Sequence, residues 1–268
     1  MSQPLPEEEI VLPALRQNRL VALVRERGQI TVAELVARFG VSRDTIRRDL
    51  DTLERRGLVL RTHGGAIPGD RLVTREISLA QRMDAQSEAK IRIARAAARL
   101  IRDGETLIVN GGSSTYYFAA ELGEHRDLLV VTNNLRIPPV LPEAAMRAAY
   151  VLGGTYWASP QVTIGPIGFT ATQRISADTA VIGVTGMGAD GFTIARLEEA
   201  TISTGMMEVA RRRIVLADSS KFNVPSFAHV ADFSEVQHLV TDAAPPPDLA
   251  ALLEQAGVEV LVAPAHLT

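Results

Sequence analysis

The residues of this 268-residue chain whose types and spacing could do chemistry are of two kinds, and both suit phosphate. The first kind is a set of short loops: Asn110-Gly111-Gly112-Ser113-Ser114-Thr115, Thr132-Asn133-Asn134, Gly153-Gly154-Thr155, Thr185-Gly186 and Asp218-Ser219-Ser220-Lys221. Each follows a short apolar run. Backbone N–H groups of Gly- and Ser-rich loops at a helix N-terminus cradle phosphate with the help of the helix dipole. A rim of hydroxyls and amides suits a sugar, and Lys221 is one of only two lysines, with Lys90, in the chain. The second kind is arginine. Arg43, Arg47 and Arg48 lie within VAELVARFGVSRDTIRRDLD, Val32 to Asp51. Guanidinium groups pair with phosphates and with the edges of bases.

Other chemistries find little support. There is no Cys, so disulfides and thiolate catalysis are excluded. The five His show no metal-ligand spacing, no nucleophile triad is legible, and no cofactor is expected. Glu198-Glu199 is a carboxylate pair that reads as a solvated helix start. Gly186-Met187-Gly188-Ala189-Asp190-Gly191 fits G-x-G-x-x-G, but Phe192-Thr193-Ile194 after it reads extended, so a turn is the better reading than a dinucleotide fingerprint. Tyr156-Trp157 would either stack on a ligand or be buried at an interface.

The elements that must position these residues follow from periodicity. Val32, Leu35, Val36 and Phe39 make one apolar stripe at i, i+3, i+4, i+7. Gly40 ends that helix, Thr31 caps its start, and Ser42 caps the next. Ile46, Leu50 and Leu53 form the stripe of the second helix, leaving Arg43, Arg47 and Arg48 on its other side. This is the pattern of a helix-turn-helix, whose second helix enters the DNA major groove. A helix from Ala14 to Arg27 precedes it, and a strand-like run, Leu58 to Thr62, turns at His63-Gly64-Gly65, which places Arg61 and His63 at a wing tip. Residues 15–65 hold eleven Arg and six acids, a local charge of +5 in a chain of −3.

The reading by domain is a tail at 1–13, a winged helix-turn-helix at 14–67, a linker at 68–86 and an α/β domain at 87–268. In the last, strands are expected at Thr106–Val109, Leu128–Thr132, Tyr150–Leu152, Thr179–Val184, Arg213–Ala217, His238–Thr241 and Val258–Val262. Helices are expected at Ser87–Arg102, Ser114–Leu122, Thr163–Ile175, Thr201–Arg211 and Asp248–Gln255. Alternating apolar strands and helices imply a mostly parallel sheet covered on both faces. The start, MSQPLPEEEIVLP, does not read as a signal peptide, and no apolar run is long enough to span a membrane. A cytoplasmic protein with no membrane partner is the expectation.

From Arg16 to Ile67 the sequence resembles the N-terminal domain of the DeoR family of bacterial transcriptional regulators, through ITVAELVARFGVSRDTIRRDLDTLERRGLVLRTHGGA. GGSST, VVTNNL, VLGGT, ADTAVIGVTG and LADSSKF follow that family's sensor domain in order. The resemblance implies an α/β sensor fold shared with ribose-5-phosphate isomerase. It implies DNA contacts from Ser42, Thr45, Arg47 and Arg48, to which the pattern adds Thr31, Arg43, Arg61 and His63. It implies an effector, a phosphorylated sugar or similar metabolite, held by Asn110 to Thr115, Thr132, Asn133, Asn134, Gly153, Gly154, Thr185 and Lys221. Where relatives carry an acid, this chain has Thr185 and Asn110, which removes charge that isomerase chemistry would need. The expected function is therefore a non-enzymatic repressor of a sugar-metabolism operon, a dimer or tetramer on operator DNA. A sugar-phosphate isomerase carried on a DNA anchor is the alternative.

Overall fold

The computed structural model describes residues 13–28, 30–55, 59–62, 64–68, 79–165 and 175–265. Contacts divide the chain into two compact units, Met1–Glu76 and Ile77–Thr268.

In the first unit α1 (Pro13–Arg27) leads through β1 (Ile30–Thr31) into α2 (Val32–Phe39) and α3 (Arg43–Arg55), followed by β2 (Val59–Thr62) and β3 (Gly65–Pro68). The apolar stripes make one core: Leu20 and Val24 of α1, Leu35 of α2, and Ile46, Leu50 and Leu53 of α3 are all buried, with Ile30, Val59 and Ala66 beneath them. Gly40 adopts φ 64°, the left-handed conformation that ends α2, and its N–H bonds Val36 O at 3.0 Å. The strands pair antiparallel in the order β1-β3-β2. Gly65 of β3 lies directly on the backbone of Ile30 and Thr31, with no room for a Cβ.

The second unit opens with α4 (Leu79–Asp84) and α5 (Ser87–Ala98). The first of these lies inside the stretch read as a linker, and at six residues it is too short to show a periodic stripe. Then come β4 (Thr106–Val109), α6 (Ser113–Ala120), β5 (Leu128–Thr132), β6 (Met146–Val151), β7 (Thr155–Trp157), β8 (Val162–Ile164), β9 (Ala177–Gly183), β10 (Gly186–Gly188), β11 (Gly191–Ile194), α7 (Leu197–Glu208), β12 (Ala210–Leu216), β13 (Ala228–Ala231), β14 (His238–Thr241), α8 (Pro247–Gln255) and β15 (Glu259–Val262). Seven of these strands form one sheet, in the order β15-β14-β12-β9-β4-β5-β6, with every neighbouring pair parallel. Alternate residues feed opposite faces. Ile108, Ile182, Val215 and Leu239 pack on one side with α7 and α8, while Leu107, Val109, Val181, Leu216 and Val240 pack on the other with α5 and α6.

One local expectation is corrected and another holds. Thr163 and Ile164, read as the start of a helix, belong to β8, which pairs antiparallel with β7; residues 166–174 of that expected helix lie outside the described residues. β-branched Val162-Thr163-Ile164 suits a strand, which overrides the helical reading at these residues. The G-x-G-x-x-G stretch is a hairpin: β10 and β11 pair antiparallel around Gly191, φ 109°, and no helix opens on its glycines.

The strand order places a switch in the sheet. From β4 the chain adds β5 and β6 on one side, then crosses to add β9, β12, β14 and β15 on the other. The loops leaving β4 and β9 therefore diverge, and a crevice opens between them at the C-terminal ends of the strands.

Candidate nucleic-acid interface and ligand site

The recognition helix is defined by its caps. The Ser42 hydroxyl accepts from Thr45 N at 3.2 Å and lies 2.9 Å from Thr45 Oγ1, fixing the first turn of α3. The Thr31 hydroxyl accepts from Glu34 N at 3.2 Å and donates to Glu34 Oε2 at 2.8 Å, and Thr31 N also donates to Oε2, completing a capping box on α2. These bonds hold the Glu34 carboxyl below its ordinary pKa. Thr31 thus serves as the cap of α2. Arg43, Arg47 and Arg48 are exposed on the side of α3 opposite its buried stripe, and Thr45 is half-exposed beside them. Arg61 stands on β2, two positions before the wing turn, and His63 lies outside the described residues.

One residue that fixes α3 escaped the sequence reading. Asp49, 4% exposed, faces α1. Its Oδ2 accepts from Arg16 Nε at 2.6 Å and its Oδ1 accepts from Arg16 Nη2 at 3.3 Å and Gln17 Nε2 at 2.9 Å. This two-pronged pair clamps the recognition helix to α1. In sequence Asp49 looks like one more charge in an Arg- and Asp-rich run; its place between Arg48 and the core residue Leu50 was the available signal.

At the switch in the sheet lies a hollow of about 100 Å³. Gly111, Gly112, Ser113 and Ser114 enter it from the start of α6, Gly183, Val184 and Thr185 from β9, and Asp218, Ser220 and Lys221 from β12. Of the expected effector residues, Gly111 to Ser114, Thr185 and Lys221 are thus brought together. The others serve the frame. Asn110 is buried: its side-chain amide donates to Gly183 O and Ser203 Oγ at 3.0 Å and accepts from Gly183 N at 2.8 Å, tying β4 to β9. Thr115 Oγ1 donates to Asn110 O at 2.9 Å. Thr132 Oγ1 accepts from Asn134 N at 3.0 Å, Asn133 Nδ2 donates to Thr163 O at 3.0 Å, and Asn134 Nδ2 donates to Gly112 O at 3.4 Å. Gly153 and Gly154 follow β6, at the far edge of the sheet, where Gly154 (φ 144°) packs against Ile164.

The hollow also holds residues that the sequence reading did not assign to the ligand: Arg82, Ala85, Gln86, Lys90 and Glu199. Lys90, 4% exposed, donates from Nζ to Arg82 O at 2.6 Å and to Ala85 O. Burial pushes its pKa down, Asp218 opposes that, and Lys221 and Arg82 add to it. Glu199, in the first turn of α7, is half-buried while Glu198 beside it is exposed, which corrects the reading of both as solvated. Burial raises the Glu199 pKa, with Arg82 and Arg196 pulling it back. Arg82 Nε is buried with no hydrogen-bond partner. Among the described residues, neither Lys221 Nζ nor the Glu199 carboxyl makes a hydrogen bond. No cluster of His, Asp or Glu that could hold a metal occurs among the described residues.

Comparison with known proteins bears on both sites. Residues 16–70 match the DeoR-like helix-turn-helix domain, and residues 85–243 match the DeoR C terminal sensor domain. The chain belongs to the DeoR family. This DeoR-family chain is 34% identical over 251 residues to the HTH-type transcriptional repressor GlcR of Bacillus subtilis (strain 168), covering 92% of this chain and 96% of that one. It is 32% identical over 233 residues to the glycerol-3-phosphate regulon repressor of Escherichia coli (strain K12), covering 86% and 91%. Among solved structures, a D-ribose-5-phosphate isomerase in complex with phospho-erythronic acid matches with a TM-score of 0.38 at 22% identity, over 50% of this chain and 53% of that one.

The DeoR-family chain is accordingly a DNA-binding transcriptional regulator with a winged helix-turn-helix and an α/β sensor unit. The isomerase alternative falls away, because relatives that align over 86–96% of this chain are named as transcriptional repressors. No helix among the described residues is long and apolar enough to cross a membrane.

Proposed function

We propose that this regulator is a repressor that binds operator DNA through α3 and its wing as a dimer or tetramer, and that a small phosphorylated metabolite, such as a sugar phosphate, controls it from the hollow at the sheet switch. The single observation that carries the ligand reading is the set of groups left unsatisfied there. Arg82 Nε has no partner, and Lys221 and Glu199 make no hydrogen bond among the described residues, yet all three line one cavity with the N-terminus of α6. A buried polar atom such as Arg82 Nε is ordinarily paired, and Lys221 and Glu199 stand half-buried beside it. An anion brought by a ligand would pair the cations and accept from the N–H groups of Gly112 to Ser114. Glu199, with its raised pKa, suits the hydroxyl end of such a ligand, where a protonated carboxyl donates and an ionised one accepts. The names of the relatives support the class: several are repressors, and one governs a glycerol-3-phosphate regulon.

More than one copy is needed because a single recognition helix reads a half-site of a few base pairs. DNA-binding and ligand-binding units would then be coupled by about 1–3 kcal/mol, the usual size of such linkage.

A thermal-shift screen of sugar phosphates and other phosphomonoesters on the full chain tests the ligand reading, because a compound selective for the native state raises its melting point. The hit is then titrated into an operator gel shift. In Lys221→Ala the ligand concentration for half-maximal response is expected to rise about tenfold to a hundredfold, the worth of one charge-assisted hydrogen bond. Operator binding without ligand should stay as it is. A wild-type midpoint in that variant would remove Lys221 from the site.

A further inference from the structure

The helix α4 is the first element of the C-terminal unit among the described residues, and residues 69–78 separate it from β3 in the chain. Six residues cannot hold a helix alone. Three bonds from other elements hold this one. Tyr117 Oη donates to Met83 O at 3.2 Å, and Lys90 Nζ donates to Arg82 O at 2.6 Å and to Ala85 O. Arg82 O and Met83 O belong to the last turn of α4 and Ala85 O follows it, where a helix has no donors of its own for its carbonyls.

This clamp is incomplete in two respects, and the residues concerned both line the hollow. An ammonium has three N–H donors, and Lys90 uses two. Arg82, on α4 itself, keeps a buried Nε with no partner while its side chain lines the cavity. The clamp also works against itself. Arg82 and Lys221 both disfavour the charged form of Lys90, so three cations crowd one small space, with Asp218 and Glu199 as the acids beside them. An anion would relieve that crowding, take the third Lys90 proton and satisfy Arg82 at once.

Building on the ligand site just proposed, we infer that Arg82 is a ligand-contacting residue and that α4 is a strap which a bound phosphate group fastens to the sensor. Ligand occupancy then sets how firmly the first turn of the sensor is held, at the point where the chain arrives from the DNA-binding unit. The phosphate group is the part of such a ligand that these cations would hold, so inorganic phosphate is a sufficient probe.

The test is amide hydrogen exchange on the full chain, with inorganic phosphate titrated and melting temperature followed in parallel. In the wild type, phosphate should raise the melting temperature and slow exchange at residues 79–86. In Arg82→Ala, and in Arg82→Gln as a second variant of different bulk, phosphate should still raise the melting temperature, with a midpoint shifted about tenfold, but exchange at 79–86 should no longer respond. Stabilisation by phosphate with unchanged exchange at 79–86 in the wild type would overturn the strap and leave the ligand site standing. So would a full α4 response in both Arg82 variants. No stabilisation by phosphate in any of the proteins would overturn the site and the strap together.

Discussion

The double variant Arg47→Ala, Arg48→Ala will lose specific operator binding, with affinity lower by at least about a hundredfold, while the sensor unit melts as in the wild type. Both side chains are exposed, and they lie on the face of α3 opposite the buried Ile46, Leu50 and Leu53. Their removal therefore leaves the core of the first unit alone. On DNA each Arg either pairs with a base edge, worth about 1–3 kcal/mol, or neutralises a phosphate and releases a counterion. The two cases are told apart by salt. If both contact phosphates, the slope of log affinity against log salt falls by about two, and binding weakens on every sequence alike. If one reads a base, the slope falls by about one and discrimination between operator and random duplex shrinks. Fluorescence anisotropy at several salt concentrations, on both duplexes, gives the answer. Wild-type affinity and slope in the double variant would take α3 out of the interface.

That helix was legible in sequence because everything defining it is local. The stripe Ile46, Leu50, Leu53, the caps at Thr31 and Ser42 and the stop at Gly40 all fall within about two dozen residues, and each rests on backbone geometry rather than on distant partners. The parallel sheet was legible as a class for a similar reason. What the sequence did not carry is the order of its strands, which is settled by how helices pack across the whole unit. Five strand ends bearing small polar residues look alike in sequence, yet only those of β4, β9 and β12 meet at the switch, and Gly153-Gly154 lie beyond β6 at the edge. Glu199 and Glu198 are adjacent acids with the same local context; only the seating of α7 against the hollow buries one of them. Arg82 lay in a charged stretch with no period, because a six-residue helix clamped by Lys90 and Tyr117 needs none.

Asp49 shows the same blindness to long-range partners, and its replacement is the second large effect expected. Asp49→Ala deletes the carboxylate that accepts from Arg16 and Gln17 and leaves the Arg16 guanidinium, on a side chain 12% exposed, with a lost partner. Breaking a buried ion pair from one side costs about 3–5 kcal/mol, and the lower end applies because Arg16 makes other interactions and can turn partly to water. A unit this small is stable by only about 3–8 kcal/mol in all, so its melting transition should fall by about 12–24 °C. The sensor transition should not move. Operator binding should weaken at temperatures where the unit is still folded, because α3 has lost its brace on α1. The double variant Arg16→Leu, Asp49→Leu separates the two contributions: replacing both partners by apolar groups removes the stranded charge, so the double variant should be more stable than Asp49→Ala alone. If Asp49→Ala melts within a degree or two of the wild type and binds operator as tightly, the clamp between Arg16 and Asp49 does not set the position of the recognition helix.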